Sequence, residues 1–84
     1  MNRIAWHQKA LRQLRKLATA DNQEVRRAVG NLTDMPECRN VKSLMNHEHG
    51  YRLRVGRYRV LFDWDSSVQV VEIQEVMRRD ERTY

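Results

Sequence analysis

Arginines occupy the polar positions of one short stretch of the chain, GYRLRVGRYRVLF (residues 50–62). Polar and apolar residues alternate along it with period two, which is typical of strands that bury one face. Folding the stretch about Gly56 and Arg57, a Gly-X pair that suits a type II′ turn, places Arg54 directly opposite Arg59. No acidic residue separates these arginines. The spacing therefore predicts a hairpin that presents two guanidinium groups side by side.

Such a pair of like charges predicts an anion-binding surface. Two unit charges about 5 Å apart repel by roughly 3 kcal/mol at an effective dielectric constant of about 20. Solvent and splaying of the side chains reduce this to about a few tenths of a kcal/mol, but directly opposed like charges remain unfavourable in a sheet. A solvated face that discourages aggregation at sheet edges is the alternative, but mixtures of lysine and glutamate serve that purpose at lower cost. The planar guanidinium fork binds phosphate oxygens in a bidentate manner and stacks on bases. We therefore interpret Arg52, Arg54 and Arg59 as a phosphate-binding group.

Helical spacing of apolar residues predicts two helices before this hairpin, after an opening strand in NRIAW (residues 2–6). The first stripe comprises Ala10, Leu11, Leu14, Leu17 and Ala18, and the second comprises Val25, Ala28, Val29 and Leu32. Asp21 and Glu24 have the spacing of a capping box, which predicts that the second helix begins at Asp21. Gly30 weakens the end of that helix, and Pro36 closes the segment.

After residue 41 the pattern changes to that of strands. VKSLM (41–45) predicts a short strand, HEHG (47–50) a loop, DWDSS (63–67) a turn and SVQVVEIQEV (67–76) a final strand. The order β-α-α-β-β-β-β predicts an α+β fold, in which a two-helix hairpin packs on a mainly antiparallel sheet of four to five strands. The apolar residues expected to face the helices are Tyr51, Leu53, Val55, Tyr58, Val60 and Phe62, with Leu61 and the arginines on the other face.

Length and composition limit the class of protein. The 84 residues suffice for one domain, which we expect to span 1–84. No apolar run approaches the roughly 20 residues of a membrane span, and the N-terminus has no signal-peptide pattern. The single cysteine, Cys38, excludes an intramolecular disulfide and fits a reducing compartment, so we expect a cytoplasmic protein without membrane contact. The net charge of +5 favours polyanionic partners.

The element order, the hairpin GYRLRVGRYRVLF and the ending EVMRRDERTY together resemble the RelE/ParE superfamily of bacterial toxins, with the RelE branch the more similar. The similarity spans nearly the whole chain. RelE toxins are endoribonucleases that cut mRNA in the A site of the ribosome. The resemblance therefore implies a toxin of a type II toxin–antitoxin system whose partners are the 70S ribosome with its mRNA and a small acidic antitoxin. Operator DNA would be bound only through the toxin–antitoxin complex.

The same resemblance implies site residues. It assigns phosphate binding to Arg52 and Arg54, and it implies catalytic roles for Arg59, Arg79 and Tyr84. In these roles Arg59 holds the phosphate, Arg79 stabilises charge or protonates the leaving group, and Tyr84 stacks on or orients a base. The neighbouring basic residues Arg78 and Arg82 join the RNA-binding group. Met77 stands where the resemblance leads us to expect another basic residue.

One departure concerns the proton acceptor of the reaction. RelE has lysines at the positions of Arg52 and Arg54, and an arginine stays protonated where a lysine can act as a base. The acceptor is then ribosomal RNA, solvent, His47 or His49, and the sequence does not choose among them. Cys38, His47 and His49 are irregularly spaced and predict no metal site. We expect no cofactor.

Three functions compete. The first is the ribosome-dependent endoribonuclease, which the arginine pair together with Arg79 and Tyr84 favours. The second is a ParE-type toxin, which shares the fold but inhibits DNA gyrase without cutting RNA. The third is a catalytically inactive nucleic-acid-binding relic.

Overall fold

The computed structural model describes residues 1–79 of the chain. Its elements are strand β1 (Arg3–Trp6), helices α1 (Gln8–Arg15) and α2 (Thr19–Gly30), a 3-10 turn (Asn31–Asp34), and strands β2 (Val41–Ser43), β3 (Tyr51–Val55), β4 (Tyr58–Asp65) and β5 (Val70–Arg78). The predicted order β-α-α-β-β-β-β is confirmed. No helix within this described range is long and apolar enough to cross a membrane.

The five strands form one mixed sheet in the order β1-β5-β4-β3-β2. Strand β1 runs parallel to β5 at one edge, and the remaining neighbours are antiparallel. The α+β prediction of two helices on a mainly antiparallel sheet is thus confirmed. Strands β4 and β5 are the longest strands and lie side by side in the middle of the sheet. Their pairing brings the turn that precedes β4 close to the residue that follows β5.

One sheet face packs on the helices and forms the hydrophobic core. The core contains Ala10, Leu14, Val25, Val29, Leu32 and Met35 from the helical segment and Leu53, Val55, Tyr58, Val60, Phe62, Val71, Ile73 and Val76 from the sheet. Tyr51 and both tryptophans are partly buried against this core. The apolar positions of the quoted hairpin therefore face the helices, as the alternation predicted. We call the opposite face, which carries Arg52, Arg54, Arg59 and Leu61, the arginine face.

The predicted start of the second helix is wrong. Helix α2 begins at Thr19 with Ala18 as its N-cap, so Asp21 lies inside the first turn. A carboxylate oxygen of Asp21 accepts a hydrogen bond of 2.9 Å from the hydroxyl of Tyr58 in β4. Asp21 is therefore used to hold the helix to the sheet, where a negative charge also suits the positive end of the helix dipole.

The boundary between the last two strands also differs from the prediction. Strand β4 continues to Asp65, and β5 begins only at Val70. The Asp65 carboxylate accepts hydrogen bonds from the backbone N–H and the hydroxyl of Ser67, at 2.9 and 2.6 Å. These bonds lower the pKa of Asp65. An aspartate that bonds the backbone two residues on forms an Asx turn, so the turn is shorter and lies later than DWDSS predicted.

Candidate phosphate-binding site

Strands β3 and β4 and the residue that follows β5 bring four guanidinium-bearing side chains around one small cavity. Arg52, Arg54, Arg59 and Arg79 line this cavity, which has a volume of about 100 Å³. We call it the arginine pocket. A water molecule occupies about 30 Å³ in the liquid, so the pocket has room for a small oxyanion. The prediction that Arg52, Arg54 and Arg59 share one face is confirmed.

The hairpin turn sets the position of the two central arginines. Gly56 adopts a φ of +55°, a left-handed conformation that glycine reaches without strain. Val55 pairs with Tyr58 across the turn, and Arg54 pairs with Arg59 in the next position. Directly opposed residues of antiparallel strands have Cβ atoms about 4.5–5.5 Å apart. The local turn geometry is thus sufficient to place these two arginines side by side.

Arg79 reaches the pocket because the chain beyond β5 is bonded to the same turn. Its backbone N–H donates a 2.7 Å hydrogen bond to the carbonyl of Arg57. Its guanidinium Nη1 donates a longer bond of 3.4 Å to the carbonyl of Gly56. These contacts join the end of β5 to the β3–β4 hairpin and direct the Arg79 guanidinium towards the pocket.

Two of the four arginines that line the pocket lack a carboxylate partner within the described part of the chain. Within residues 1–79, neither Arg52 nor Arg54 forms an ion pair with a carboxylate. Arg54 is exposed and Arg52 is half-buried. Met77 lies in register with Arg59 on the side opposite Arg54, and it is half-buried. The position that the resemblance would fill with a basic residue therefore carries an uncharged, polarisable side chain, and it lines the cavity between α1 and β5.

The two loop histidines do not line the arginine pocket. His49 Nδ1 lies 3.1 Å from a carboxylate oxygen of Asp63, and its Nε2 lies 3.8 Å from one of Glu75. The backbone N–H of His49 donates to His47 Nδ1 at 2.9 Å. His49 is nearly buried, with a side chain only 12% exposed. Both of its ring nitrogens therefore face carboxylates on two different strands, which suits a role in holding the loop.

Asp63 is the centre of this loop attachment, a role that was not predicted from the sequence. Besides His49, its carboxylate accepts hydrogen bonds from the Gly50 backbone N–H at 2.8 Å and from Gln74 Nε2 at 3.2 Å. These contacts fix the loop immediately before β3, two residues before Arg52. The sequence signal for this role is that Asp63 continues the alternation of the hairpin strand, but DWDSS (63–67) predicted a turn at this point.

Arg78 is placed apart from the other predicted site residues. It pairs with Tyr58 at the end of β5 and lines a cavity of about 440 Å³ between α1 and β5, together with Lys9, Lys16, Leu17 and Val76. Consecutive residues of a strand point to opposite faces, so Arg78 and Arg79 cannot both enter the pocket. Arg78 therefore lies outside the arginine pocket, and its role in RNA binding stays a prediction. Arg82 and Tyr84 lie outside the described residues.

Cys38 has no sign of a reactive thiol. Its Sγ donates to the Asn31 carbonyl at 3.4 Å. Burial, followed by the negative charges of Asp34 and Glu37, raises the pKa of Cys38 above its usual 9.0. Among the described residues, no group of three or more histidine, cysteine, aspartate or glutamate side chains is arranged to hold a metal ion.

The fold matches solved toxin structures along almost its entire length. A RelE–RelB complex from Pyrococcus horikoshii aligns with a TM-score of 0.81 at 23% identity, covering 96% of this chain and 98% of that one. The RelBE2 complex of Mycobacterium tuberculosis aligns with a TM-score of 0.79 at 28% identity, covering 93% and 98%. The isolated RelE toxin of E. coli aligns with a TM-score of 0.79 at 18% identity, covering 99% and 88%.

Sequence comparison identifies the family directly. No curated protein sequence matches the chain significantly. A family model described as the ParE toxin of type II toxin–antitoxin systems matches residues 4–83. That range includes both helices, strands β2 to β5, all of β1 except Arg3, and the arginine pocket, and it agrees with the RelE-like fold. The chain therefore belongs to the ParE toxin family of type II toxin–antitoxin systems, within the RelE/ParE superfamily.

Proposed function

We propose that this toxin is a ribosome-dependent endoribonuclease that cleaves mRNA in the ribosomal A site and so inhibits translation. The observation that carries the proposal is the arginine pocket, in which three separate segments direct four guanidinium groups to one cavity. Directly opposed arginines are unfavourable for the sheet. An RNA phosphate bound between them would offset that repulsion, and arginine is well suited to bind it in a bidentate manner.

In this mechanism the protein supplies charge stabilisation and alignment. Internal attack by the 2′-hydroxyl, which gives up its proton, forms one bond to the adjacent phosphorus and breaks the bond to the 5′-oxygen, which takes up a proton from solvent and leaves as a hydroxyl. Arg52 and Arg54 hold the phosphate, while Arg59 and Arg79 stabilise the negative charge that develops on its oxygens. The reaction requires no metal ion. Arg82 is proposed to bind RNA, and Tyr84 to stack on or orient a base beside the scissile bond.

Proton transfer in this mechanism needs a group other than the guanidiniums, because arginine remains protonated in proteins. His49 is a poor candidate since both of its ring nitrogens face carboxylates. His47 accepts a hydrogen bond from the His49 backbone and lies outside the set of pocket-lining residues. We therefore propose that ribosomal RNA or solvent accepts the 2′-hydroxyl proton. A proton acceptor in ribosomal RNA would make the reaction depend on the ribosome.

An antitoxin partner is proposed on separate grounds. The similar structures from Pyrococcus horikoshii and Mycobacterium tuberculosis are toxin–antitoxin complexes. The cavity between α1 and β5 is lined by apolar side chains that include Leu17 and Val76 and by the cations of Lys9, Lys16 and Arg78, with Glu75 paired to Lys9. An acidic, amphipathic segment complements such a surface. We propose that a small acidic antitoxin binds there and that operator DNA is bound only by the complex.

Inhibition of DNA gyrase is the second candidate function, and the match of the ParE family model to residues 4–83 favours it. An in vitro translation reaction followed by primer extension separates the two candidates. The nuclease predicts new 5′ ends within mRNA, seen as primer-extension stops, only when ribosomes are present. The gyrase inhibitor predicts loss of supercoiling by purified gyrase with intact mRNA. A protein that does neither, although it binds RNA, would be the inactive relic.

A further inference from the structure

We propose that the phosphate-binding surface continues from the arginine pocket onto Lys42 in the edge strand β2, and that single-stranded RNA crosses the sheet edge there. This inference rests on the proposed RNA substrate. It adds a binding residue outside the pocket and a direction for the RNA backbone. No role for Lys42 was predicted from its place in the sequence.

Strand register places Lys42 beside the pocket. Lys42 pairs directly with Arg52, and Arg52 pairs in turn with Leu61. Paired residues of antiparallel strands project from the same face, so Lys42 lies on the arginine face. Neighbouring strands are about 4.8 Å apart, which places Lys42 within reach of a phosphate adjacent to one held by Arg52. The side chain is exposed.

No contact in the described structure accounts for this lysine. Across residues 1–79, Lys42 forms no ion pair, and β2 has no strand beyond it. Two cations directly opposite each other at an exposed edge repel, as do Arg54 and Arg59 in the next row. Lys42 and Arg52 thus repeat the pairing of like charges formed by Arg54 and Arg59. A polyanion bound along these residues would offset their repulsion.

Lys42, Arg52 and Leu61 are paired across neighbouring strands, and the end of this line of residues that lies towards β5 is unsuitable for RNA. Beyond Leu61 the register partner is Glu75, which lies 3.2 Å from Lys9 and 3.8 Å from His49. Asp63 lies two residues further along β4 and also contacts His49. The arginine face is therefore cationic towards β2 and carries carboxylates towards β5. An RNA backbone that leaves the pocket is attracted to Lys42 and repelled from Glu75.

The composition of the surface favours RNA over an acidic protein segment. Among residues 1–79, the four side chains that line the arginine pocket are arginines, which suit the phosphates of RNA better than the apolar side of an amphipathic segment. By contrast, the cavity between α1 and β5 combines apolar and cationic side chains. The two surfaces therefore differ in the ligand that they suit, and the Lys42 edge is continuous with the first.

The test measures binding of a fluorescent single-stranded RNA to the purified full-length toxin at several salt concentrations. Each phosphate contact in a single strand contributes about −0.7 to the slope of log affinity against log salt. We expect Lys42→Ala to reduce the magnitude of the slope by about 0.7 and Lys42→Arg to retain it. Arg26→Ala removes an exposed cation from α2 and should leave the slope unchanged. Melting temperatures confirm that each variant is folded.

Equal slopes for the wild type and Lys42→Ala, or a wild-type affinity independent of salt, would overturn the inference. It would also be overturned if Lys42→Ala weakened binding of a polyglutamate peptide and left RNA binding intact, since the edge would then serve an acidic protein. Ribosome-dependent cleavage by the wild type is measured separately. A wild type that does not cleave, combined with a reduced slope for Lys42→Ala, rejects the nuclease and supports the RNA path.

Discussion

Arg54 and Arg59 lie directly opposite each other on neighbouring strands, at the pair next to the hairpin turn. Both side chains border the same cavity, together with Arg52 and Arg79. A sheet gains nothing from two like charges in this position, and no described carboxylate forms an ion pair with Arg54. The repulsion between the two guanidinium groups destabilises the free protein. An oxyanion bound in the adjoining cavity would offset this repulsion, as phosphate binding in the proposed reaction requires.

Replacing Arg54 should have opposite effects on stability and on RNA binding. Arg54→Gln keeps a polar, extended side chain but removes the repulsion with Arg59, so we expect the free energy of unfolding to rise by roughly 0.2–1 kcal/mol. RNA affinity should fall because one phosphate contact is lost. Chemical denaturation and RNA titration measure the two effects. A variant that is both less stable and unchanged in RNA affinity would contradict the assignment of Arg54 to an anion site.

Arg79 is expected to act in the reaction and to contribute little to folding, because it is exposed and lies beyond the last strand. Loss of a donor that stabilises transition-state charge commonly reduces the rate by about 10²–10³-fold. We expect Arg79→Ala to lower ribosome-dependent mRNA cleavage by this factor with an unchanged melting temperature. Arg26→Ala removes the same charge from α2 and is the matched control. Full cleavage by Arg79→Ala would show that the catalytic assignment is wrong.

The hydroxyl of Tyr58 should couple stability to alkaline pH. Its hydrogen bond to Asp21, together with burial, raises the pKa of Tyr58 above the usual 10.0. A raised pKa in the folded state means that the bond stabilises the fold fully below pH 10.0 and is lost as pH rises through the folded-state value. Tyr58→Phe should cost about 1–2 kcal/mol at neutral pH. The difference from the wild type should shrink in strongly alkaline solution, as measured by urea denaturation across pH.

Asp63 and Glu72 provide a matched pair of carboxylates, since they lie opposite each other in β4 and β5. Asp63 accepts bonds from Gly50, Gln74 and His49, whereas Glu72 makes only a 3.7 Å contact with the exposed His7. We expect Asp63→Ala to lower the free energy of unfolding by about 1–3 kcal/mol, because it leaves a partly buried N–H without its acceptor. Glu72→Ala should be close to neutral. Thermal denaturation of both variants tests the difference, and equal losses would contradict the role of Asp63 in holding the loop.

The hairpin and its arginine pair were predictable from the sequence because they depend on local geometry. Period-two alternation assigns each residue of β3 and β4 to a face, and the turn at Gly56 sets the register between the strands. The apolar stripes of the helices were predictable for the same reason, except that α1 ends at Arg15, so Leu17 and Ala18 of the predicted stripe lie beyond it. Two local signals failed: one was the turn predicted at DWDSS (63–67), which lies later in the chain, and the other was the capping box at Asp21. Its carboxylate bonds Tyr58, 37 residues away in the chain, and a pattern of neighbouring residues carries no information about that partner.

The remaining site was decided by contacts between distant segments. Arg79 enters the pocket and Arg78 does not, because the pairing of β5 with β4 and the bonds to the hairpin turn choose between two adjacent arginines. A register irregularity in the β4–β5 pairing beside Leu61 moves Glu75 onto the arginine face, since one extra residue reverses the side on which a strand presents its side chains. Alternation along a strand thus determines which of its residues share a face. Only the tertiary pairing of the strands determines which of these faces lies at the site.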